Sequence, residues 1–513
     1  MRFRGLLRIV VGAMVCVTAS AAQDGKRASQ TVVVKAKRIH TAAGDPIDDG
    51  VIVIRDGKIV SVGPQAAVPD DALVIELPDS VITPGLVDAH AAVDADLRQA
   101  STARAGRRSF WSELADMARK RGEDGHEPHG DTVCAICSAD PKRAAEVCPQ
   151  KALHEWTMSQ GCPVCGYPAS LATAVGVDPR QSWAEHSSEV TPHLNVIDSV
   201  NLLSNDFERL LRGGVTTVWI SPGSGSVIGM RGAIVKTGGP LGSRVVREAG
   251  AVKAVMGRDA VTRGGFNRTP RPERFGGVTL STRRPLTRMG VHWVFRKAFY
   301  DARRYSQGLT IRGADMPPIE AVPVLMKILE REIPLRIQAR AQHDILLAIR
   351  LADEFGLVGE GRVPFLLEEA TEAYQCLDEL KAANVPVVFG PIFSQPSGFR
   401  ARASGEANDP RLNTAARLID AGIVTAITAH EMRDEEGLIR QAMMASRYGL
   451  SAEAALRAVT ATPADLMHLT GRVGTLSPGA DADLVIWSAE PLDAAGRVLL
   501  VMIDGKVVYR VKN

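Results

Sequence analysis

The stretch Val81-Ile-Thr-Pro-Gly-Leu-Val-Asp-Ala-His-Ala-Ala92 decides the fold of this chain. An apolar run leads into the turn dipeptide Pro84-Gly85, and a second apolar pair then leads to Asp88 and His90. A carboxylate and an imidazole that emerge where a buried strand ends are typical of the catalytic face of a β/α barrel. The stretch therefore predicts the first strand of such a barrel.

Both ends of the chain are predicted to form short β-strands. Near the C-terminus, the turn dipeptides Pro478-Gly479 and Asp504-Gly505 separate alternating apolar segments, which is the pattern of a small β-sandwich. The N-terminal region offers matching strands that begin at Thr31, Gly50 and Ala72. We predict one composite β-sandwich from residues 30–80 and 472–513.

The chain resembles the amidohydrolase superfamily in several separate segments. Besides the opening stretch, these are Ala458–Ala464, Gly471–Trp487 and Met502–Val508. Three central segments resemble a bacterial branch related to imidazolonepropionase, namely Val190–His193, Pro222–Lys236 and Thr287–Gly290. The resemblance implies an α/β fold with a TIM-like (β/α) barrel over residues 81–94 and 190–471. Helical periodicity ahead of apolar strands after Pro317 agrees with that fold.

The same resemblance locates the positions where the superfamily keeps its metal ligands. Its first barrel strand ends Asp-x-His-x-His, with both histidines aimed at one metal, and here the second histidine is Ala92. On the fifth strand two histidine positions are Gln338 and Arg340, and after the sixth strand a histidine position is Glu369. The retained candidate ligands are His90, Lys236, Glu369 and His430.

One further position carries the chemistry of hydrolysis. The eighth strand of the superfamily ends in an aspartate that binds metal and takes the proton of the attacking water, and here that residue is Ala429. Whether Lys236 matches a lysine that some relatives carbamylate to bridge two metals stays open. A lone histidine such as His90 is more often packed or hydrogen-bonded than a ligand.

These replacements predict that the barrel holds no catalytic metal. An amide is a poor zinc ligand, a guanidinium cannot lose its proton, and a methyl group cannot act as a base. We therefore expect a homologue that has lost hydrolysis and acts as a binding or partner protein. Its partner would be an active relative or a second copy, and Arg340 could hold a small carboxylate ligand. The alternative is an active hydrolase of C–N bonds with a reduced metal site.

Composition and charge narrow the cellular setting. The chain has 513 residues, 45% of them hydrophobic, and a formal net charge of +3, which does not indicate nucleic-acid binding. Residues 1–22 combine a basic start, a short apolar segment and the small residues Ala19-Ser20-Ala21, which predicts a secretory signal peptide. We expect an exported, periplasmic or secreted protein with no membrane span in its mature form.

Residues 95–189 form an insertion that is far longer than an ordinary barrel loop. It contains two C-x-x-C pairs, Cys134 with Cys137 and Cys162 with Cys165, whose separation suits a zinc ribbon. A structural zinc is one interpretation, and disulfides or redox chemistry are the others, because export would expose these thiols to oxidation. Cys376, outside the insertion, is predicted to be a small buried residue.

Overall fold

A computed structural model describes residues 31–64, 66–93, 188–257, 259–261, 285, 287–309, 317–359, 365–392, 411–430 and 437–511. The predicted signal peptide lies outside these residues, as do all four cysteines proposed as zinc ligands and nearly all of the insertion. In the described part of the chain the strands are β1 Thr31–Ile39, β2 Ile47–Arg55, β3 Lys58–Gly63, β4 Leu73–Pro84, β5 Leu86–Ala91, β6 Val215–Ile220, β7 Ile228–Arg231, β8 Ala233–Lys236, β9 Val245–Arg247, β10 Val252–Val255, β11 Leu335–Ala339, β12 Phe365–Glu369, β13 Val387–Phe389, β14 Thr425–Ile427, β15 Leu484–Trp487, β16 Val498–Ile503 and β17 Lys506–Arg510.

The helices lie mostly between the later strands. They are α1 Asn205–Arg212, α2 Leu241–Arg244, α3 Arg288–Ser306, α4 Ala321–Leu329, α5 Gln342–Glu354, α6 Leu377–Ala382, α7 Thr414–Asp420, α8 Gly437–Arg447, α9 Ala452–Arg457 and α10 Ala461–Leu466. Helix α3 begins where the Thr287 side chain accepts a hydrogen bond from the Gly290 amide, which satisfies one of the first-turn donors. From β10 to β14, helices separate successive strands, as a parallel sheet requires.

The two ends of the chain share one sheet. Its seven strands run in the order β17-β16-β15-β4-β1-β2-β3, so β4 and β15 join the N-terminal and C-terminal strands. The sequence predicted a sandwich of two sheets here, whereas these residues form a single hydrogen-bonded sheet. Both faces of β1 are apolar, since Val32 and Val34 pack in one core cluster and Val33 in another.

The boundary between this sheet and the next part of the chain falls at Pro84. The sequence assigned Val81–Pro84 to the first barrel strand, but these residues end β4 and pair with β15. Proline has no amide hydrogen to continue the ladder, and the Gly85 amide donates to the Asp483 carbonyl at 2.9 Å. The chain therefore turns out of the seven-stranded sheet, and β5 starts at Leu86.

The remaining strands form two sheets instead of one closed ring, so the predicted barrel is not confirmed. One sheet has the order β14-β13-β12-β11-β10-β7, in which β10 to β14 are parallel neighbours. The other has the order β5-β6-β8-β9. Strands β5 and β14 lie side by side without a regular backbone ladder. Side chains connect them instead: Thr428 Oγ1 donates to the His90 carbonyl at 3.0 Å. The architecture is a mixed α/β fold.

A shared apolar core nevertheless connects these two sheets. Val87 and Ala89 of β5 and Trp219 of β6 belong to one buried cluster with residues of β12, β13 and β14, namely Leu366, Val388 and Ala426. The carboxyl ends of β5, β12 and β14 are consequently brought to the same edge of the fold. Among the described residues, no helix has the length and the apolar character that crossing a bilayer demands.

Candidate functional site

Three side chains from different strands meet at this edge. His90 lies in β5, Glu369 is the last residue of β12, and His430 follows β14. One nitrogen from each histidine and one carboxylate oxygen all lie within 4.8 Å of one another, and all three residues are buried. The structure thus brings together three of the four retained candidates of the sequence analysis.

The backbone at the strand ends explains how neighbouring residues reach one site. Glu368 and Glu369 are adjacent, and regular strand alternation would point them to opposite faces. Glu369 has a φ of 65° and Ala370 a φ of 44°, so the chain leaves the extended conformation as β12 ends. His430 has a φ of 49° for the same reason. Both side chains are thereby turned toward His90, a placement that strand periodicity alone does not predict.

Both histidines present their Nε2 atoms to the same carboxylate oxygen. Glu369 Oε1 lies 3.8 Å from His90 Nε2 and 3.6 Å from His430 Nε2. His430 Nδ1 lies 3.3 Å from the His90 carbonyl oxygen, which can only accept, so a hydrogen bond there places the proton on Nδ1. The Nε2 lone pair of His430 then faces the cluster.

The Nδ1 atom of His90 faces a second carboxylate. It lies 2.9 Å from Glu368 Oε2, but neither atom meets the angular requirement of a hydrogen bond, so we treat this contact as electrostatic. His90 Nε2 is also buried without a hydrogen-bond partner. A buried ring nitrogen that has no hydrogen-bond partner and faces a carboxylate is suited to act as a metal ligand.

The donor set therefore fits a divalent cation as far as ligand type and spacing are concerned. Two imidazoles and one carboxylate make an open three-ligand site of the kind that zinc hydrolases use. The sequence analysis predicted no catalytic metal in the barrel, and the described residues nevertheless include a group of three that could hold an ion.

The resemblance expected two histidines on the fifth barrel strand, which corresponds to β11 here. Gln338 in β11 and Arg340 just after it form a linked polar network instead. Arg340 Nε donates to Glu369 Oε2, and its Nη2 lies 2.6 Å from Asp259 Oδ2. Gln338 Nε2 donates to the same Asp259 oxygen at 2.8 Å, and Gln338 Oε1 accepts from Ser224 Oγ at 2.6 Å. Burial by itself would lower the pKa of Arg340, but Glu369 and Asp259 raise it well above its usual value.

A second buried ion pair lies beneath His90. Arg336 Nε donates to Glu368 Oε1 at 2.5 Å, and its guanidinium carbon lies 3.8 Å from the centroid of the Trp219 ring. Burial tends to raise the pKa of Glu368, but the charges of His90, Arg336 and Lys253 outweigh it and lower the pKa to about 2. Glu368 is therefore an ionised carboxylate at neutral pH.

The position where a hydrolase would keep its base is occupied by a methyl group. Ala429 is buried, and its amide donates to Asp88 Oδ2 at 3.2 Å. Asp88 Oδ1 accepts from Thr428 Oγ1 at 2.6 Å and from the His90 amide at 3.0 Å. Burial raises the pKa of Asp88, although these three hydrogen bonds oppose the shift. Asp88 thus holds the ends of β5 and β14 together.

Two of the predicted site positions are not part of the side-chain cluster. Lys236 was a candidate ligand, but it ends β8 and contacts Asp481, Asp483 and Asp504 of the seven-stranded sheet and its loops at 2.8, 3.2 and 2.5 Å. Its three carboxylate partners account for this placement. Ala92 lies next to the cluster, and its amide faces the His430 carbonyl at 3.4 Å. Cys376 is buried and reduced, and burial raises its pKa to about 12.

The sequence analysis missed four residues of this site. They are Arg336, Glu368, Lys253 and Asp259. Arg336, Gln338 and Arg340 occupy alternate positions along one strand, and period-two alternation could have identified Arg336 as facing the same side. Glu368 was hidden by the assignment of Glu369, and Asp259 lies after β10 with no spacing signal.

Comparison with known proteins relates this chain to amidohydrolases. A model of the amidohydrolase family matches residues 421–509. The amidohydrolase tasK of Hapsidospora irregularis is 25% identical over 356 residues, which cover 66% of this chain but 35% of that protein. The chain thus spans about a third of the length of this curated relative.

Solved structures give the same relationship. The crystal structure of an amidohydrolase from Thermotoga maritima is 25% identical with a TM-score of 0.66, and the match covers 94% of this chain and 100% of that one. A zinc-bound adenosine deaminase from Xanthomonas campestris is more distant, at 14% identity and a TM-score of 0.44, with 93% of this chain and 92% of that chain covered. With the family model and the first of these structures in agreement, this chain belongs to the amidohydrolase superfamily.

Proposed function

We propose that this chain is an amidohydrolase-superfamily protein that binds a ligand or a partner and does not hydrolyse amide bonds. The observation that carries the proposal is Ala429, because the position next to His430 has no titratable group. A hydrolase needs a base within hydrogen-bond reach of the attacking water. A methyl group cannot accept that proton, whatever ion occupies the neighbouring cluster.

The nearby carboxylates do not supply a substitute base. Asp88 accepts three hydrogen bonds that hold two strand ends together. Glu368 is paired with Arg336, and with a pKa of about 2 it has little tendency to take a proton at neutral pH. Glu369 is the carboxylate in contact with both histidines and is also bonded to Arg340. Each acid therefore has a structural partner already.

The occupant of the pocket is a second part of the proposal. A small carboxylate ligand would have to compete with Glu369 and Asp259, which already contact Arg340. A partner protein, either a second copy of the chain or an active relative, would not have to compete with Glu369 and Asp259 for Arg340. Export to the periplasm or medium, and a structural zinc on Cys134, Cys137, Cys162 and Cys165, follow from the sequence alone and stay proposals.

One observation favours a second candidate, an active amidohydrolase that cleaves C–N bonds at a reduced metal site. His90, Glu369 and His430 provide three ligand atoms within 4.8 Å, which is enough to hold a catalytic ion. In that case a group other than residue 429 would accept the proton, and the relative tasK, an amidohydrolase by name, would share the reaction class.

Turnover measurements on the purified full chain separate the two candidates. The panel consists of N-acyl amino acids, dipeptides and cyclic amides, each with and without added zinc. We expect no turnover by the wild type or by Ala429→Asn, and a gain of turnover with zinc in Ala429→Asp, whose side chain differs from asparagine only by its ability to accept a proton. Wild-type turnover that disappears in Glu369→Gln would establish the active enzyme and refute the proposal. Circular dichroism verifies that each variant is folded.

A further inference from the structure

We propose that Arg340 is a built-in counter-ion of this pocket. Held between Glu369 and Asp259, it compensates one of their two negative charges and weakens divalent-cation binding at His90, Glu369 and His430. This inference rests on the described geometry and not on the loss of hydrolysis. Wild-type turnover would refute the proposed function above and leave this inference to its own test, which measures binding.

The geometry of Arg340 carries the argument. Its Nε donates to Glu369 Oε2, whereas the other oxygen of the same carboxylate, Oε1, faces the two histidines. An ion at the cluster would therefore share Glu369 with a guanidinium already bonded to it. The Arg340 guanidinium is a fixed positive charge in contact with Glu369, so it would strongly repel a cation bound to the other oxygen of that carboxylate. Water screens this repulsion little, because the site is buried.

The guanidinium cannot become neutral by losing its proton, because arginine stays protonated in proteins. The Arg340 side chain is 9% exposed, and the Asp259 side chain is 18% exposed. Two acids on one base leave the trio with a net charge of about −1, so Arg340 compensates one of the two negative charges.

Gln338 joins Arg340 and Asp259 in one hydrogen-bond network. It donates to the same Asp259 oxygen that Arg340 Nη2 contacts, and its own carbonyl oxygen is held by Ser224. The two residues that replace expected histidines thus share one acceptor, Asp259, which holds the Nη2 end of the guanidinium. Removing the charge of Arg340 should free Glu369 Oε2 and leave the three ligands in place.

The test is a calorimetric titration of the full-length chain with Zn²⁺, after removal of metal by a chelator. Arg340→Met removes the charge, and Arg340→Met/Asp259→Asn removes the charge together with the carboxylate left unpaired by the first change. Arg340→Lys is the matched control that retains the charge. Zinc held elsewhere, for example by cysteines, is common to all variants and cancels in the comparison.

We expect both charge-removing variants to bind zinc at least about tenfold more tightly than the wild type. The Arg340→Lys variant should remain within about threefold of the wild type, because its ammonium keeps the repulsion. Adding His90→Ala to either charge-removing variant should abolish the gain, which places the ion at the cluster.

Three results would overturn the inference. The first is a folded charge-removing variant that binds zinc no more tightly than the wild type, and the second is an equal gain in Arg340→Lys. The third is a gain that survives His90→Ala. If Arg340→Met alone does not fold, the double variant decides, because it does not leave two carboxylates facing each other.

Discussion

Lys236 Nζ lies 2.8 Å from Asp481 Oδ2 and connects β8 of the four-stranded sheet to the segment that precedes β15 of the seven-stranded sheet. The same ammonium contacts Asp483 and Asp504. Asp481 also forms ion pairs with Lys58 at 2.5 Å and with Arg472 at 3.2 Å. Lys236 and Asp481 are 2% and 4% exposed. The residue that the sequence suggested as a metal ligand is thus the centre of a buried ionic cluster between two sheets.

Replacing Lys236 by methionine should destabilise the protein strongly. The change keeps most of the side-chain volume but leaves Asp481 and Asp483 buried without their main cation, which typically costs about 3 to 5 kcal/mol in the free energy of unfolding. The measurement is urea-induced unfolding followed by circular dichroism. Lys35→Met is the matched control, because Lys35 pairs with Glu76 at 3.8 Å with side chains 37% and 61% exposed, so its loss should cost under about 1 kcal/mol. Equal losses in the two variants would contradict a special role for Lys236.

Asp483 should give this cluster a measurable pH dependence. Burial raises the pKa of Asp483 to about 6, even though Lys236 opposes the shift, and its Oδ2 atom has no hydrogen-bond partner. The folded protein then binds a proton more tightly than the unfolded chain, whose aspartate pKa is about 3.9. The stability contributed by protonated Asp483 is fully present below about pH 4 and is lost as the pH rises through about 6.

The comparison of wild type with Asp483→Asn isolates this effect. Asparagine does not titrate, so the difference in unfolding free energy between the two proteins should change by about 1 to 3 kcal/mol between pH 4 and pH 7. The change should favour the variant at the higher pH. A difference that stays constant over this range would show that Asp483 keeps its ordinary pKa.

The sequence predicted the parts of the fold that repeat a local pattern. Alternating apolar residues and turn dipeptides located the strands at both chain ends, which pair through β4 and β15. It did not predict that Val81–Pro84 belongs to that sheet, because a strand that changes partner at Pro84 looks the same in sequence as one that does not. Nor could it predict that β5 and β14 meet through side chains, since Asp88 and Thr428 are 340 residues apart.

The sequence also predicted only part of the candidate site. Motif positions identified His90, Glu369 and His430, which the structure brings together. The sequence analysis counted lost residues one by one, whereas the left-handed backbone at Glu369 and His430 aims the remaining side chains at one point. Asp259 could not be found from sequence, because its role depends only on where the loop after β10 passes Arg340.

The buried pair of Arg336 and Glu368 should be strongly coupled, and a double-mutant cycle can measure that coupling. The side chains are 2% and 0% exposed, and Arg336 also packs on Trp219. Arg336→Met or Glu368→Gln alone should each cost about 3 to 5 kcal/mol, because each leaves one buried group without its partner. The double variant should cost about 1 to 3 kcal/mol less than the sum.

The surface pair of Arg296 and Glu354 is the matched control for this cycle. Its Nε to Oε2 distance is 2.7 Å, but the two side chains are 39% and 25% exposed, so the coupling energy should stay below about 1 kcal/mol. The lowered pKa of Glu368 adds a pH criterion: its contribution is present above the ordinary glutamate pKa and is lost as the pH falls toward 2. The Arg336–Glu368 coupling should therefore shrink in acid. Equal coupling energies for the two pairs at neutral pH would mean that Arg336 does not determine the charge state of Glu368, and His90 and Lys253 would then have to do so.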